Sequence, residues 1–471
     1  MTQTLIQTLQ GIVGASHVLT DGDLSAYTQD WRKRHEGRAL AVVLPAQTEE
    51  VASIVRACAA ARASIVPQGG NTGLVVGGVP DTSGQQVVLS LRRMNQVREV
   101  DLANQTLTVE AGCVLQSAQE AADRAGYWLP LSLAAQGSCT IGGNLATNAG
   151  GTQVLRFGNA RDLCLGLEVV TAQGEIWSGL SGLRKDNTGY DLRHLMIGSE
   201  GTLGIITAAT LKIYPQPAAQ WTAWASVDSV EAAVALLALA QNRLGPTLTG
   251  FEMMGQFALS LVAKHFAEQR VPFTDSPYGV LLESSDFESE AHARSLLDQL
   301  LEDALNQGCI TNAIVAESVT QSNALWHVRE CIPLAQAQEG LNIKHDVSLP
   351  VSQIADFVTS TDAHLKATLP GVRIVNFGHL GDGNLHYNVQ CPDGANGQDF
   401  LRQHEEHINA MVFEAVAARG GSISAEHGIG SLKASKLPQY KSPVALQMMR
   451  QVKRALDPDN LLNPGRIFPN I

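Results

Sequence analysis

Several features that would assign the chain to a common functional class are missing from its 471 residues. No apolar run approaches the ~20 residues that a membrane-spanning helix needs, and the N-terminal stretch lacks the basic start and apolar core of a signal peptide. The seven cysteines form no C-x-x-C pair, which argues against an iron–sulfur cluster and a thiolate zinc site. A formal net charge of −12 argues against nucleic acid or an anionic membrane as a partner. We therefore expect a globular cytoplasmic protein with free thiols.

Two common phosphate-binding motifs are also absent. Neither G-x-G-x-x-G nor G-x-x-x-x-G-K-[ST] occurs in the chain, which argues against the usual nicotinamide and nucleoside-triphosphatase modes of binding. Three glycine-dense loops are nevertheless present, at 67–78, 137–151 and 198–207. Such loops let backbone N–H groups approach a phosphate closely. Each loop alone is as well explained by a turn that needs positive-φ residues, but together they suggest one extended, phosphate-bearing cofactor laid across several loop tips.

The length and the order of the patterns predict more than one domain. A chain of 471 residues exceeds the usual size of a single hydrophobic core. The first half begins with a strand at 41–45, a helix at 48–63 capped by Thr48, and a strand at 64–67. The composition changes near 215–220, where tryptophans appear and amphipathic helices alternate with strands. These patterns indicate an α+β protein with a domain boundary near that point.

The stretch 376–388 reads N-F-G-H-L-G-D-G-N-L-H-Y-N and predicts a β-hairpin. An Asp-Gly pair at 382–383, between short apolar runs, is a strong signal for a two-residue turn. This register sets His379 opposite His386, with Cβ atoms about 5 Å apart on one face of the sheet. Asn388 shares that face because side chains alternate along a strand. The two imidazoles could converge on a metal ion, or they could be ordinary core or solvated histidines.

A carboxylate and a base occur together in a later glycine-bracketed segment. Glu426 and His427 are adjacent there, after a predicted helix at 400–418. Zinc sites that perform chemistry typically use three protein ligands and keep one position open. If Glu426 is the third ligand, His427 is left as a proton acceptor. The alternative, a Glu-His pair on a surface loop, stays open from these residues alone.

In their order along the chain, these motifs resemble those of the FAD-dependent D-2-hydroxyacid dehydrogenases. That family lies within the vanillyl-alcohol oxidase/p-cresol methylhydroxylase superfamily. The resemblance rests on the three loops, on G-H-L-G-D-G-N-L-H at 378–386, on A-E-H-G-I-G at 425–430 and on N-P-G-R at 463–466. K-H-D-V-S-L-P at 344–350 is most similar to the branch that contains D-2-hydroxyglutarate dehydrogenase. The glycolate oxidase flavin subunit and D-lactate dehydrogenases are further relatives of that branch.

The resemblance implies an α+β fold with a two-part FAD-binding domain of the p-cresol methylhydroxylase type. It also implies an α+β cap domain with an antiparallel sheet, and a tail that returns to the flavin. We accordingly predict an FAD-binding domain of two α+β subdomains at 1–217, a substrate- and metal-binding cap at 218–455 and a tail at 456–471. Non-covalent FAD is expected, because Asn71 stands where some superfamily members carry the histidine that attaches the cofactor. The residues implied as FAD contacts are Pro67, Gly69, Gly70, Asn71, Thr72, Gly73, Ser138, Thr140, Gly142, Gly143, Asn144, Ala146, Glu200, Gly201, Gly204, Ile206 and Asn463.

The resemblance also implies a metal site and a base. His379, His386 and Glu426 would bind a divalent cation, commonly Zn²⁺. Asn388 would lie beside it, and His427 would be the catalytic base that accepts a proton from the substrate hydroxyl.

The same resemblance implies how substrate is held. Arg329 and Lys344 would bind a substrate carboxylate, together with Asn388. Arg329 can make a bidentate contact that a lysine cannot. Pro333 departs from the pattern, since the hydroxyglutarate enzymes carry a hydroxyl residue there. The physiological substrate is therefore left open by the sequence.

The predicted reaction is oxidation of a D-2-hydroxyacid, most readily D-2-hydroxyglutarate, to the 2-ketoacid with hydride transfer to flavin N5. D-Lactate and glycolate are the alternative substrates. Two rivals from other classes are a metal-dependent hydrolase and a flavin-bearing electron-transfer subunit without activity of its own. The family suggests an electron-transferring flavoprotein or a quinone as electron acceptor, and a homodimer as the assembly.

Overall fold

The structure, a computed structural model, describes residues 2–469. The chain forms two compact units. Unit 1 combines the chain up to Gly150 with Gly158–Gln216 and the chain from Glu426 on. Unit 2 comprises Gly151–Phe157 and Pro217–Ala425. Among the described helices, none is both long and apolar enough to cross a bilayer.

The strands of the described residues follow one another in chain order as β1 (Val18–Leu19), β2 (Ala39–Val43), β3 (Ile65–Gln68), β4 (Gln86–Ser90), β5 (Val97–Asp101), β6 (Thr106–Glu110), β7 (Tyr127–Trp128), β8 (Cys164–Val170), β9 (Ile176–Gly179), β10 (Ile205–Lys212), β11 (Tyr214–Pro215), β12 (Ala219–Val227), β13 (Leu248–Gly255), β14 (Tyr278–Asp286), β15 (Asn312–Val315), β16 (Asn342–Ile343), β17 (Asp346–Ser348), β18 (Arg373–His379) and β19 (Asn384–Gln390).

The α-helices are α1 (Thr2–Val13), α2 (Ser25–Thr28), α3 (Thr48–Ala61), α4 (Leu115–Arg124), α5 (Ile141–Ala146), α6 (Val154–Phe157), α7 (Ala160–Leu163), α8 (Leu192–Met196), α9 (Val230–Leu244), α10 (Gln256–His265), α11 (Glu290–Asn306), α12 (Val319–Glu339), α13 (Val351–Thr368), α14 (Gly397–Ala418), α15 (Leu437–Tyr440) and α16 (Pro443–Leu456). Short 3₁₀ turns occur at Ala15–His17, Leu91–Arg93, Gly245–Thr247 and Leu380–Asp382.

Unit 1 contains two main sheets and confirms the predicted β-α-β start. The first sheet has the order β1-β2-β4-β3, and β2, β4 and β3 are parallel. Parallel strands need a crossover connection, and α3 provides one between β2 and β3, which lie on either side of β4. The second sheet, β5-β6-β10-β8-β9, is antiparallel throughout. Its strand β10 follows directly on the third glycine-dense loop.

The predicted cap of α3 was wrong by one residue. Gln47 precedes the first helical residue, and Thr48 lies inside the helix. The Thr48 hydroxyl donates instead to Glu168 Oε1 at 2.6 Å, because it faces the second sheet. Glu50, in the first turn of the helix, accepts from the Ala46 backbone N–H at 2.7 Å and so links the helix to the segment before it.

Unit 2 is built on one large antiparallel sheet in the order β15-β12-β14-β13-β18-β19-β16, with β17 also paired to β19. Helices α10 and α12 pack on one face over a cluster that includes Trp224, Met254 and Phe377. The opposite face receives α13, where Phe357 meets Tyr387 edge-on at 5.2 Å between ring centroids. The sheet is therefore covered on both faces, as its long buried strands require.

Strand β19 has two faces of different character. Leu385, Tyr387 and Val389 are fully buried on the apolar face. The alternate positions, Asn384, His386, Asn388 and Gln390, are polar although they too are largely buried. Buried polar groups need hydrogen-bond or ligand partners. The polar face of β19 is therefore the face on which a functional site is expected.

Candidate functional site

A cradle of glycine backbone lies in unit 1, where the first and second glycine-dense loops meet. A Cβ atom added to Gly69 would lie 2.2 Å from Thr140 Oγ1, and one added to Gly70 would lie 2.0 Å from the Ser138 carbonyl oxygen. Thr140 also caps α5 by accepting from the Gly143 N–H at 3.4 Å. The two loops pack so closely that only glycine fits at these positions.

A cavity opens beside this cradle and is lined by most of the predicted FAD contacts. Ser138 is outside the lining, although its carbonyl packs against Gly70. The cavity reaches His427, which the sequence predicts as a base rather than as a cofactor contact. The predicted residues in the lining are Pro67, Gly69, Gly70, Asn71, Thr72, Gly73, Thr140, Gly142, Gly143, Asn144, Ala146, Glu200, Gly201, Gly204, Ile206 and Asn463.

The C-terminal tail closes one side of this cavity. Asn463 donates from Nδ2 to the carbonyls of Gly77, at 3.0 Å, and Glu200, at 2.7 Å. Its Oδ1 and the Oε1 of Gln68 are buried and have no hydrogen-bond partner within residues 2–469. Buried acceptors without partners are costly, and both residues line the cavity. A glycine-walled cavity with such acceptors suits an extended polar cofactor such as FAD.

The predicted two-residue hairpin turn between β18 and β19 was wrong. Phe377, and not His379, pairs with His386, and the chain turns through a 3₁₀ segment at Leu380–Asp382. Gly378 adopts φ +152°, and a Cβ there would lie 2.6 Å from a carbonyl oxygen of the opposite strand. The regular pairing of β18 with β19 ends before this glycine, whereas the pairing of β18 with β13 on its other side continues and sets His379 opposite Glu252.

The two imidazoles nevertheless lie side by side. The ring centroids of His379 and His386 are 5.6 Å apart, with the ring planes at 76°. Both residues are on the face of the sheet that carries Phe377, because odd positions of β18 and even positions of β19 share it. The predicted proximity of the histidines is thus confirmed, although it arises from a different register.

Glu252 is a site residue that the sequence did not reveal. It is fully buried, its Oε1 contacts His379 Nδ1, and its Oε2 accepts from Arg329 Nε at 2.7 Å. Burial raises the pKa of the Glu252 carboxyl, but Arg329 and His379 outweigh that effect and lower its pKa to about 2. A charged carboxylate on Nδ1 fixes the ring of His379 and directs Nε2 away from Glu252. This is the usual arrangement behind a metal-binding imidazole.

Asp346 is a second acidic residue that was not predicted. It pairs with His386 across β17 and β19, and its Oδ1 lies 3.9 Å from His386 Nδ1. Asn384 donates to the same Oδ1 at 2.9 Å. The backbone N–H of Ala425, the residue before Glu426, donates to the Asp346 carbonyl at 3.3 Å. The adjacent imidazoles of His379 and His386 are donors that suit a divalent cation such as Zn²⁺.

Two of the predicted substrate residues, Arg329 and Asn388, lie on the face of the unit 2 sheet that carries Phe377. Arg329, on α12, is buried, and its guanidinium carbon is 5.2 Å from the centre of the Phe377 ring. Its Nη2 is buried and has no hydrogen-bond partner among residues 2–469. Lys344 is half-buried between β16 and β17. Asn388 accepts from the His345 N–H at 3.0 Å and donates to a glutamine side chain of α12.

Comparison with known proteins identifies the domains and the family of the chain. Residues 39–179 match the FAD binding domain, and residues 216–467 match the C-terminal domain of FAD linked oxidases. A D-2-hydroxyglutarate dehydrogenase of Xanthomonas citri pv. viticola is 39% identical over 472 residues, which cover 99% of this chain and 98% of the relative. The chain belongs to the FAD-dependent D-2-hydroxyacid dehydrogenase family. It is therefore an FAD-linked oxidoreductase that acts on CH–OH donors.

Other relatives of the enzyme come from eukaryotes. The mitochondrial D-2-hydroxyglutarate dehydrogenase of Arabidopsis thaliana is 36% identical over 460 residues, covering 98% of this chain and 80% of the relative. A putative mitochondrial D-lactate dehydrogenase of Schizosaccharomyces pombe is 35% identical over 476 residues, with coverages of 98% and 89%. The names of these relatives thus include two different 2-hydroxyacids.

Solved structures confirm the predicted fold. The chain superposes on substrate-bound p-cresol methylhydroxylase with a TM-score of 0.79, at 16% identity and with coverage of 99% of this chain and 97% of that one. Alkyldihydroxyacetonephosphate synthase gives a TM-score of 0.74 at 17% identity, with coverages of 98% and 84%. The α+β architecture of the p-cresol methylhydroxylase type was therefore predicted correctly.

Proposed function

We propose that the enzyme oxidises a D-2-hydroxyacid to its 2-ketoacid, with D-2-hydroxyglutarate preferred to D-lactate and glycolate. The observation that carries this proposal is the state of Arg329. Glu252 fixes its Nε, while its buried Nη2 has no partner among the described residues. An unsatisfied, buried guanidinium N–H is costly unless a ligand supplies an acceptor, and a carboxylate matches the guanidinium fork best.

His427 has the role of proton acceptor in this proposal. It lies at the cavity that the glycine loops of unit 1 form. Bound non-covalently there, FAD supplies the acceptor for the C2 hydride at its N5. Removing the hydroxyl proton from the substrate as the hydride leaves makes the 2-ketoacid directly, and a neutral imidazole can accept that proton near pH 7.

His379, His386 and Glu426 are the proposed metal ligands, and Zn²⁺ is the proposed ion. Such an ion supplies Lewis acidity that lowers the pKa of a coordinated hydroxyl. The support is the pair of adjacent imidazoles and the carboxylate that fixes one of them. Glu252 keeps His379 oriented, and Asp346 lies on the ring edge of His386. Neither Glu252 nor Asp346 has to gain or lose a proton to support its histidine in this way.

Substrate selection is assigned to Arg329, Lys344 and Asn388. Arg329 and Lys344 together could bind both carboxylates of a dicarboxylic acid. Pro333 lies one helical turn after Arg329 on α12 and offers no hydroxyl to the second carboxylate. We therefore expect Pro333→Thr to raise kcat/KM for D-2-hydroxyglutarate relative to D-lactate. An unchanged ratio would remove Pro333 from the specificity argument.

The electron acceptor and the assembly are proposed by family likeness. An electron-transferring flavoprotein or a quinone would reoxidise the flavin, and the chain would be a homodimer. A cytoplasmic location is proposed from the cysteines, which are all free thiols and, except for half-buried Cys309, buried.

The test is dye-coupled turnover of the purified protein with D-2-hydroxyglutarate, D-lactate, D-malate and glycolate, each with and without a chelator. We expect a yellow protein that is most active on D-2-hydroxyglutarate and loses activity with the chelator. Colourless protein would contradict the proposal and favour a hydrolase. Absence of solo activity in flavin-loaded protein would instead favour an electron-transfer subunit.

A further inference from the structure

Glu200, in the third glycine-dense loop, has an unusual backbone and an unusual set of partners. It is a non-glycine residue at φ +52°, its backbone N–H donates to the Ala146 carbonyl at 2.8 Å, and its side chain is buried. Residues other than glycine rarely adopt this left-handed conformation unless surrounding contacts impose it. The sequence resemblance assigns Glu200 to the cofactor, but the contacts of its carboxylate indicate something else.

The carboxylate of Glu200 holds two successive backbone amides. Its Oε1 accepts from the Ile429 N–H and its Oε2 accepts from the Gly430 N–H, each at 2.7 Å. These amides follow His427 by two and three residues. Burial raises the pKa of the Glu200 carboxyl, whereas these two hydrogen bonds favour its charged form. Glu200 therefore fixes the course of the chain immediately after His427.

The segment that Glu200 holds has no room to move on its other side. A Cβ added to Gly430 would lie 2.0 Å from the Val75 carbonyl oxygen, and the Ser431 N–H donates to that same oxygen at 3.1 Å. A Cβ added to Gly428, at φ +79°, would lie 2.8 Å from Glu200 Oε1. The backbone is thus fixed between Val75 and Glu200, directly beside the cavity that His427 and Glu200 both line.

We infer that Glu200 is a positioning residue for His427, and that its carboxylate is not primarily a cofactor contact. The inference rests on the proposed role of His427 as proton acceptor. Only a carboxylate offers acceptors on both of its polar atoms, whereas an amide would turn an NH₂ donor towards one of the two backbone N–H donors. Glu200→Gln should therefore loosen the segment after His427 while preserving size and burial.

The experiment measures anaerobic flavin reduction by D-2-hydroxyglutarate in Glu200→Gln, His427→Asn and the double variant, with the FAD content of each. We expect Glu200→Gln to keep its FAD and its substrate Kd, and to lower the limiting reduction rate about 10- to 100-fold, as expected when a catalytic group is misplaced. In the His427→Asn background, the same substitution should cause no further loss. Glu168→Gln is the control, because that carboxylate accepts from two threonine hydroxyls, at 2.6 and 2.9 Å, outside the cavity lining.

Each alternative outcome has a distinct meaning. Loss of FAD with an unchanged rate per bound flavin would make Glu200 a cofactor ligand and overturn the inference. Additive losses in the double variant, or an unaffected Glu200→Gln enzyme, would overturn it as well. Unaltered reduction in His427→Asn would refute the proposed function itself. If Glu200→Gln does not fold, Gly428→Ala displaces the same contact while retaining the carboxylate, and the same non-additivity with His427→Asn is expected.

Discussion

The candidate sites of the two units are built in opposite ways. In unit 1 the cavity wall is made of backbone, and glycines such as Gly69 and Gly70 permit the close approach of neighbouring loops. In unit 2 the site is made of long charged side chains, with Glu252 joining His379 to Arg329. A backbone site is damaged by adding atoms, whereas a side-chain site is damaged by changing a functional group. Substitutions at Gly70 and Glu252 test this contrast directly.

The largest effect is expected from His427→Asn. Removing a general base typically costs 10²- to 10⁴-fold, so turnover should fall by about that factor while FAD stays bound. Turnover and flavin absorbance of the purified variant measure the two properties separately. His194→Asn, on a part-exposed histidine of unit 1, is the matched control and should leave both unchanged.

A methyl group at Gly70 should damage the cradle itself. The Cβ of Gly70→Ala would lie 2.0 Å from the Ser138 carbonyl oxygen, and overpacking of this kind costs about 1–3 kcal/mol. We expect weaker FAD binding, measured by flavin fluorescence during dilution. Gly11→Ala, in α1 and outside the cavity lining, is the control, since nothing lies within 4 Å of the added atom. Equal FAD affinity in the two variants would contradict a backbone-built cofactor site.

Changing only the functional group of Glu252 should weaken Zn²⁺ binding at the proposed metal site. In Glu252→Gln one of the two donors, on His379 or Arg329, loses its acceptor. Mutation of such supporting partners usually costs 10- to 100-fold in metal affinity, and a Zn²⁺ loss of that size should appear in a chelator competition. Glu283→Gln, on the neighbouring strand, changes a carboxylate that accepts from the Trp326 indole at 3.0 Å and should retain the metal.

The smallest effect concerns stability alone. Glu339 binds Lys264, His265 and Arg373 at 2.6 to 2.7 Å. Burial raises the pKa of its carboxyl, but these partners lower it from 4.5 to about 2. A depressed carboxyl pKa stabilises the folded state above the unfolded value, so this contribution should be lost as the pH falls from 4.5 towards 2. Acid unfolding of Glu339→Gln should be less dependent on pH over that window, and an identical pH profile would refute this role.

The parts of the fold that local patterns encode were predictable. The β-α-β start, the three glycine-dense loops and the proximity of His379 and His386 all follow from neighbouring residues. The register of the hairpin did not, because Gly378 at φ +152° and the 3₁₀ turn break the two-residue pattern that Asp382 and Gly383 suggest. The composition of a turn predicts that the chain reverses direction, but it does not predict how many residues form the turn, and the register depends on that number.

Glu252 escaped prediction for a different reason. It precedes His379 by 127 residues and lies on a buried, mostly apolar strand, where no motif surrounds it. Its only signal is an acid inside an apolar run, and such an acid must find a partner once buried. Asp346, by contrast, lay within a segment already similar to the family, so its proximity to His386 could have been inferred from the strand pattern.

The short excursion Gly151–Phe157 limits how the protein can be dissected. Although both flanking stretches belong to unit 1, this heptapeptide belongs to unit 2, where Arg156 donates to the Ser285 carbonyl at 3.3 Å and Leu155 packs against Gly381. A recombinant fragment of residues 217–425 would lack this heptapeptide and would expose the surface of unit 2 that the heptapeptide covers. Any separate production of unit 2 therefore needs the heptapeptide supplied as well, either grafted through a linker or added in trans.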